Sequence, residues 1–228
     1  MIDGDFPCQK VMIAEGDNLL RTALTLAAIL MGSAAQADTI TVAGGCFWCT
    51  EADFEKVEGV SEAVSGFAGG TVEDPTYEQV VSGGTGHIEA VRIEFDPDIV
   101  ERRDLYDLFF RSIDPFDDGG QFCDRGYSYT TAIWVDDEED RAAAEAAKSA
   151  AEEELGREIV TPILDDAEFY AADAYHQDYY KSQDRLAFSS VGIAVTKETA
   201  YKRYRDRCGR DDRIREIWGE DAPFLPSS

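Results

Sequence analysis

The chain has 228 residues, 47 acidic against 21 basic, for a formal charge of −26. A surface this acidic repels phosphate backbones and anionic membranes, which argues against a nucleic-acid partner. Hydrophobic residues make up 44% of the chain, enough to build the core of one ordinary domain.

The chain opens on an apolar stretch, residues 23–31, broken by Thr25 and too short to span a bilayer. Gly32, Ser33 and the small-x-small run Ala35-Gln36-Ala37 follow, the pattern of a secretory signal peptide cut before Asp38. Residues 1–37 are therefore read as a cleaved signal peptide and 38–228 as one domain, and the protein is expected to be periplasmic or secreted. The alternative is a cytoplasmic chain with a buried N-terminal helix, because Arg21 is the only nearby cation and Glu15 and Asp17 oppose it. Met12 is a second candidate start. Cleavage removes Cys8 and leaves Cys46, Cys49, Cys123 and Cys208.

Residues 39–42 alternate and predict a short strand, Ala43-Gly44-Gly45 a turn, and 47–58 a helix stopped by Gly59. Strands follow at 61–67 and 88–95, separated by a turn-rich loop with Pro75. Asp96-Pro97 ends the second strand. A helix then carries Leu105, Leu108, Phe109 and Ser112 at 3–4 spacing. A Gly- and Asp-rich loop spans 114–126, a strand 127–135, an Ala-rich helix 137–155 closed by Gly156, and a strand 159–164. Helices are predicted at 175–182, 197–207 and 211–218. Strands interleaved with helices point to an α+β layer, a mixed or antiparallel sheet covered by helices. The acidic runs 136–140 and 152–154 read as solvated helix faces. No repeat or low-complexity linker is evident.

Four cysteines in an exported chain suggest two structural disulfides. A domain this long does not need staples, and Cys46 and Cys49 are too close for a bridge between them to restrain much chain. Reactive chemistry is the better reading. Cys46 falls where a strand hands over to a helix N-terminus, whose partial positive charge and orphan N–H groups favour the thiolate, the nucleophilic form. Gly44 and Gly45 let backbone approach the sulfur. His87 and His176 are the only histidines, and neither lies in the motif, so nothing local supports a Cys-His protease. Glu89 shares a strand face with Val91, Ile93 and Phe95, at the wet end of a buried stripe. Apolar surroundings raise a carboxyl's pKa and make it a proton donor near neutral pH; a solvated strand-end glutamate is the alternative. Phe47 and Trp48, by themselves, read as core.

Several motifs then occur in one order. "GCFWCTE" at 45–51, "GFAGG" at 66–70, "PTYEQV" at 75–80, "GTGHIEAVRIEFDP" at 84–97, "IDPFDDGGQFCDRGYSYTTAI" at 113–133, "FYAADAYHQDYY" at 169–180 and "RCGRD" at 207–211 resemble the A-type peptide methionine sulfoxide reductases. Methionine sulfoxide is reversed enzymatically, one enzyme per sulfur epimer. The resemblance implies reduction of the S epimer, protein-bound or free, and a fold that is α+β: a ferredoxin-like two-layer sandwich, a mixed sheet covered by helices, with a long C-terminal tail.

It also implies roles. Cys46 is the nucleophile. Phe47 and Trp48 form the apolar wall that holds the substrate methyl. Glu89 is the acid for the sulfoxide oxygen, Tyr77 and Tyr129 are hydroxyl donors to it, and Asp124 is a supporting polar group. Cys208 resolves the Cys46 sulfenic acid as a disulfide, with Cys49 as the rival. No cofactor or metal is implied; electrons come from a thioredoxin-like protein, or from dithiothreitol in vitro, and the chain acts as a monomer on oxidised proteins and free methionine sulfoxide. Phe67, in "GFAGG", stands where many relatives have Tyr and carries no catalytic weight. Cys123 has no assigned role and reads as a small buried hydrophobe. Two alternatives remain. Cys46-x-x-Cys49 suggests a thioredoxin-type dithiol oxidoreductase, but no later cis-proline pattern is found. Cys46, Cys49, Cys123 and His176 suggest a zinc module, although the spacings fit no standard pair.

Overall fold

The computed structural model describes residues 37–189 and 192–226. The signal-peptide expectation and Cys8 fall outside these residues. The described chain begins with strand β1 (Asp38–Gly44), helix α1 (Phe47–Phe54), strand β2 (Val60–Ala68), helix α2 (Tyr77–Ser82), strand β3 (Ile88–Phe95) and helix α3 (Arg102–Phe110). A short hairpin, β4 (Gly120–Gln121) and β5 (Asp124–Arg125), leads through a 3-10 turn (Tyr127–Tyr129) into β6 (Thr131–Val135) and helix α4 (Glu138–Leu155). Strands β7 (Ile163–Asp165) and β8 (Tyr170–Ala171), a hairpin of β9 (Arg185–Ser189) and β10 (Gly192–Thr196), and helices α5 (Lys197–Arg207) and α6 (Arg210–Trp218) complete it.

Six strands form one mixed sheet in the order β7-β6-β1-β3-β2-β8. Among the described residues, only β6 and β7 pair in parallel. The central order β6-β1-β3-β2, with α1 after β1 and α3 after β3, is the ferredoxin-like arrangement expected. The main core packs one sheet face, with Ile40, Val42, Val91, Ile93 and Ile133, against α1, α3 and α4. Ala43, Ala68, Ile88, Ala90, Ala132 and Trp134 form the opposite face, covered by Ala167 and Phe169. The segment after β8 is the long C-terminal tail.

The prediction departs from the structure where periodicity alone does not settle the conformation. Residues 175–181 form turns instead of the helix expected at 175–182. The α2 helix in the expected loop is set by local chemistry: Thr76 and Gln79 make a reciprocal capping box. The β9–β10 hairpin and the β4–β5 hairpin were not anticipated. The strand expected at 127–135 starts at Thr131, after the 3-10 turn, and that expected at 159–164 is confined to Ile163–Asp165. The helix after Cys46 ends at Phe54, short of Gly59. Asp137 caps α4 and Gly156 closes it in the left-handed conformation.

Candidate active site

Cys46 is the N-cap of α1, at the exit of β1. The elbow depends on its glycines, though not for the reason of sulfur access. Gly45 has φ +81°, and a Cβ there meets Gln121 Cβ at 2.5 Å; a Cβ on Gly44 meets Thr50 Oγ1 at 2.8 Å. Under the elbow lies Arg210, fully buried, whose guanidinium donates to Gly44 O at 3.3 Å and Ser112 O at 2.8 Å and covers the Phe122 ring at 4.5 Å.

Antiparallel β1 and β3 pair up to Val42↔Val91, two residues short of Gly44 and Glu89. Glu89 therefore arrives beside the elbow. It is 1% exposed, not at a wet end as the strand pattern suggested, because Ile88 and Ala90 on the opposite face are buried too. Its Oε2 accepts from Phe47 N–H at 2.9 Å. Burial pushes this carboxyl well above the usual range, against the pull of that amide, and Asp124 and Cys49 push the same way. The site therefore favours the protonated form of Glu89.

Cys46 is 6% exposed and hydrogen-bonded to Cys49, one turn on. Burial pushes its thiol up, reinforced by the bond to Cys49 and by Glu89 and Asp124. The expected lowering is therefore absent. A helix N-terminus contributes about 0.3–1 kcal/mol at exposed sites, too little to offset full burial, and the Phe47 amide is already committed to Glu89. Cys49 is held down to about 7 by the Cys46 hydrogen bond, against burial, with Arg210 and Arg205 assisting.

Aromatic rings wall the site. Phe47 lies 6.0 Å from Trp48, 5.9 Å from Phe67 and 6.1 Å from Tyr77, centre to centre. The Tyr77 hydroxyl hydrogen-bonds that of Tyr129, and burial raises both phenols, with Glu89 adding to each. Asp124, half-buried and raised by burial, accepts from the Tyr204 hydroxyl. All seven pocket residues expected from the sequence thus gather around one elbow. Sequence reasoning missed three more. His176, buried among Tyr77 at 4.4 Å, Phe47 at 5.4 Å and Trp48 at 5.6 Å, was considered only as a protease base or a zinc ligand. Tyr179 stacks on Trp48 at 3.8 Å, and Tyr204 meets it edge-on at 6.4 Å. The aromatic density of "AYHQDYY" was the available signal. Trp48 Nε1 and His176 Nδ1 are buried without a hydrogen-bond partner among the described residues, which suits a pocket that takes a polar ligand.

His87 is a loop anchor: its Nδ1 accepts from Gly70 N–H at 3.1 Å and its Nε2 contacts Val72 O at 2.8 Å. It offers Cys46 no base. The zinc alternative fails on geometry, because Cys123 does not join Cys46, Cys49 and His176. Cys123 is exposed, not a buried hydrophobe, and forms a disulfide with Cys208, 85 residues on, with Cα atoms 4.9 Å apart. Cys208 is thus bonded to Cys123 and not to Cys46; Cys46 and Cys49 are free.

Comparison with known proteins agrees with this site. Residues 38–208 match the family model described as peptide methionine sulfoxide reductase. The chain is similar to peptide methionine sulfoxide reductase MsrA 2 of Rhizobium meliloti, 44% identical over 194 residues, covering 85% of this chain and 90% of that protein. Its fold resembles the crystal structure of Mxr1 from Saccharomyces cerevisiae in reduced form (TM-score 0.60, 28% identity, 64% of this chain and 86% of that one). It also resembles methionine sulfoxide reductase A of Corynebacterium diphtheriae (TM-score 0.58, 27% identity, 73% and 85%). With the family model spanning the whole elbow-to-Cys208 segment, the chain belongs to the peptide methionine sulfoxide reductase family.

Proposed function

We propose that this enzyme reduces the S epimer of methionine sulfoxide, in proteins or free, with Cys46 as nucleophile and Glu89 as acid. The observation that carries the assignment is Glu89: a buried carboxyl tethered by Phe47 N–H at the first residue after Cys46, in surroundings that favour its protonated form. The amide holds Oε2, so the carboxyl proton rides on Oε1, where it serves an oxygen brought into the pocket.

A sulfoxide has a polar S–O end and an apolar methyl end. Glu89, Tyr77 and Tyr129 supply donors for the oxygen; Phe47 and Trp48 supply the methyl wall; Cys46 approaches the sulfur. Three different groups around a pyramidal sulfur admit one epimer only. Proton donation from Glu89 makes the sulfur electron-poor. That positive charge faces Cys46 and favours its thiolate, which the free site disfavours. The thiolate attacks sulfur, the oxygen passes to Cys46, and the products are methionine and a Cys46 sulfenic acid. Donors aimed at such an oxygen contribute up to ~3–4 kcal/mol each.

The Cys208 thiol then attacks the sulfenic acid, forming a disulfide and releasing water. Cys49 is the rival, but a bridge between residues three apart strains the helix turn. A thioredoxin-like dithiol protein restores the thiols, and dithiothreitol replaces it in vitro. An exported chain draws on a membrane-linked or periplasmic reductant, because the periplasm is kept oxidising. N-terminal sequencing of protein from cell fractions tests the export proposal: cleavage after Ala37 is expected, and an intact Met1 or Met12 on a cytoplasmic species contradicts it. The activity itself is tested with a methionine sulfoxide peptide and dithiothreitol, the two sulfur epimers separated. The S epimer should be consumed and the R epimer left; consumption of neither, or of R alone, sinks the assignment.

A further inference from the structure

The two most exposed large apolar side chains among the described residues stand side by side. Phe188 is 80% exposed and Ile193 72%, and they are direct partners across the β9–β10 ladder. Leu186 and Val195, also partners, share their face of the hairpin. Both pack against the buried cluster that holds Cys46, Cys49, Tyr179 and Tyr201. The hairpin therefore carries one apolar stripe, rooted beside the elbow at one end and bare at the other.

We propose that this stripe is the docking arm for the substrate chain. Leu186 and Phe188 hold an apolar side chain next to the methionine sulfoxide residue, so the enzyme selects polypeptide sulfoxides in apolar sequence over those in polar sequence and over free methionine sulfoxide. The proposal deepens the reductase reading and rests on it, with Trp48 as part of the methyl wall.

The stripe is continuous with the pocket. Leu186 and Phe188 form one side of an open groove, and Trp48, Tyr175, Tyr179 and Tyr204 line the rest. Trp48 therefore belongs to both the methyl wall and the groove. Successive residues of an extended chain are ~3.3–3.6 Å apart. A polypeptide with its sulfoxide seated against Trp48 lays its next side chains in the groove, whereas free methionine sulfoxide ends before it. The far wall is held in place: buried Lys197 donates to Tyr175 O at 2.9 Å and lies 4.2 Å over the Tyr175 ring. Single exposed apolar residues are ordinary on a protein surface, but a paired patch leading out of a binding pocket marks a contact surface. A second copy of the chain, itself at −26, is repelled from that surface; an uncharged substrate segment is not.

Three substrates test the arm, with dithiothreitol as reductant: a capped S-methionine sulfoxide peptide flanked by phenylalanine, its serine-flanked counterpart, and free S-methionine sulfoxide. The parent should favour the phenylalanine-flanked peptide about tenfold in kcat/KM, the effect of partly burying one aromatic side chain. Phe188→Ser should erase that preference through KM, with kcat and the other two substrates unchanged. Phe188→Leu should keep most of it. Activity on free sulfoxide reports that each variant is folded. A parent without the preference would overturn the proposal, as would a Phe188→Ser protein that retains it or that loses activity equally on all three substrates. A parent dimer that Phe188→Ser dissociates in sedimentation, with the peptide ratio unchanged, would give the stripe to a second copy and overturn it too. Reduction of none of the three by the parent would overturn the reductase reading itself.

Discussion

Cys46 and Cys49 lie one turn apart in sequence and are buried together at a strand–helix elbow, whereas Cys123 and Cys208 come from segments 85 residues apart and meet near the surface. The first pair is surrounded by a buried carboxyl, phenols and aromatic rings. The second sits on a short hairpin and a helix cap. The contrast separates the two demands of the cycle. Oxygen transfer needs a dry pocket in which a carboxyl keeps its proton. Re-reduction needs a sulfur that another protein can reach. No single cysteine among the described residues meets both conditions.

The largest expected break falls on the buried side. Cys46→Ser should abolish reduction, a loss of at least ~10⁴-fold, because a serine hydroxyl is not ionised at neutral pH; a residual tenth of the rate in a dithiothreitol assay would place the nucleophile elsewhere. Glu89→Gln should lower the first-turnover rate ~10²–10³-fold while the fold persists, since an amide supplies no proton. Parent-like single-turnover kinetics at pH 7 would make Glu89 structural. Tyr77→Phe and Tyr129→Phe should each cost about tenfold, roughly one hydrogen bond, read as methionine release by rapid quench.

The exposed side should break differently. Cys208→Ser should stop turnover with a thioredoxin-like reductant, which attacks disulfides, but leave part of the dithiothreitol-driven rate, because the small dithiol reaches Cys46 directly. Cys49→Ser blocking thioredoxin turnover while Cys208→Ser is harmless would reverse the assignment of resolver.

The smallest effect concerns stability. Glu51, 1% exposed, accepts from Ser65 Oγ and from Asp178 N–H, and burial raises it from 4.5 to about 7. The folded chain keeps this proton between those values while the unfolded chain releases it. Stability should therefore fall as pH rises from about 4.5 to about 7, by ~2–3 kcal/mol from this group. Glu51→Gln should flatten that slope in urea titrations at pH 4.5 and 7.5; an unchanged slope would assign it to other groups.

Much of the buried side was legible. A strand, a Gly-Gly turn and a helix start are local features, and the order of motifs brought Cys46, Glu89, Tyr77, Tyr129 and Asp124 to one place. What escaped depends on long-range packing. Glu89 is dry because both sheet faces are covered there, which its own strand pattern does not disclose. The Cys46 thiol is raised because burial outweighs a local helix effect. Cys123 joins Cys208 across 85 residues, a distance over which spacing carries no pairing information. His176 and Tyr179 reach Trp48 from a segment that forms turns, so no helical periodicity marked them.

The central claim is that the sulfoxide oxygen lands on Cys46. Reduced Cys208→Ser, which leaves the sulfenic acid without its preferred partner, can be mixed with one equivalent of methionine sulfoxide peptide and a cyclic 1,3-dione that tags sulfenic acids. Peptide mass mapping should find the adduct on Cys46, in step with the methionine released. Methionine release with the adduct on Cys49 or Cys123, and none on Cys46, would contradict the account.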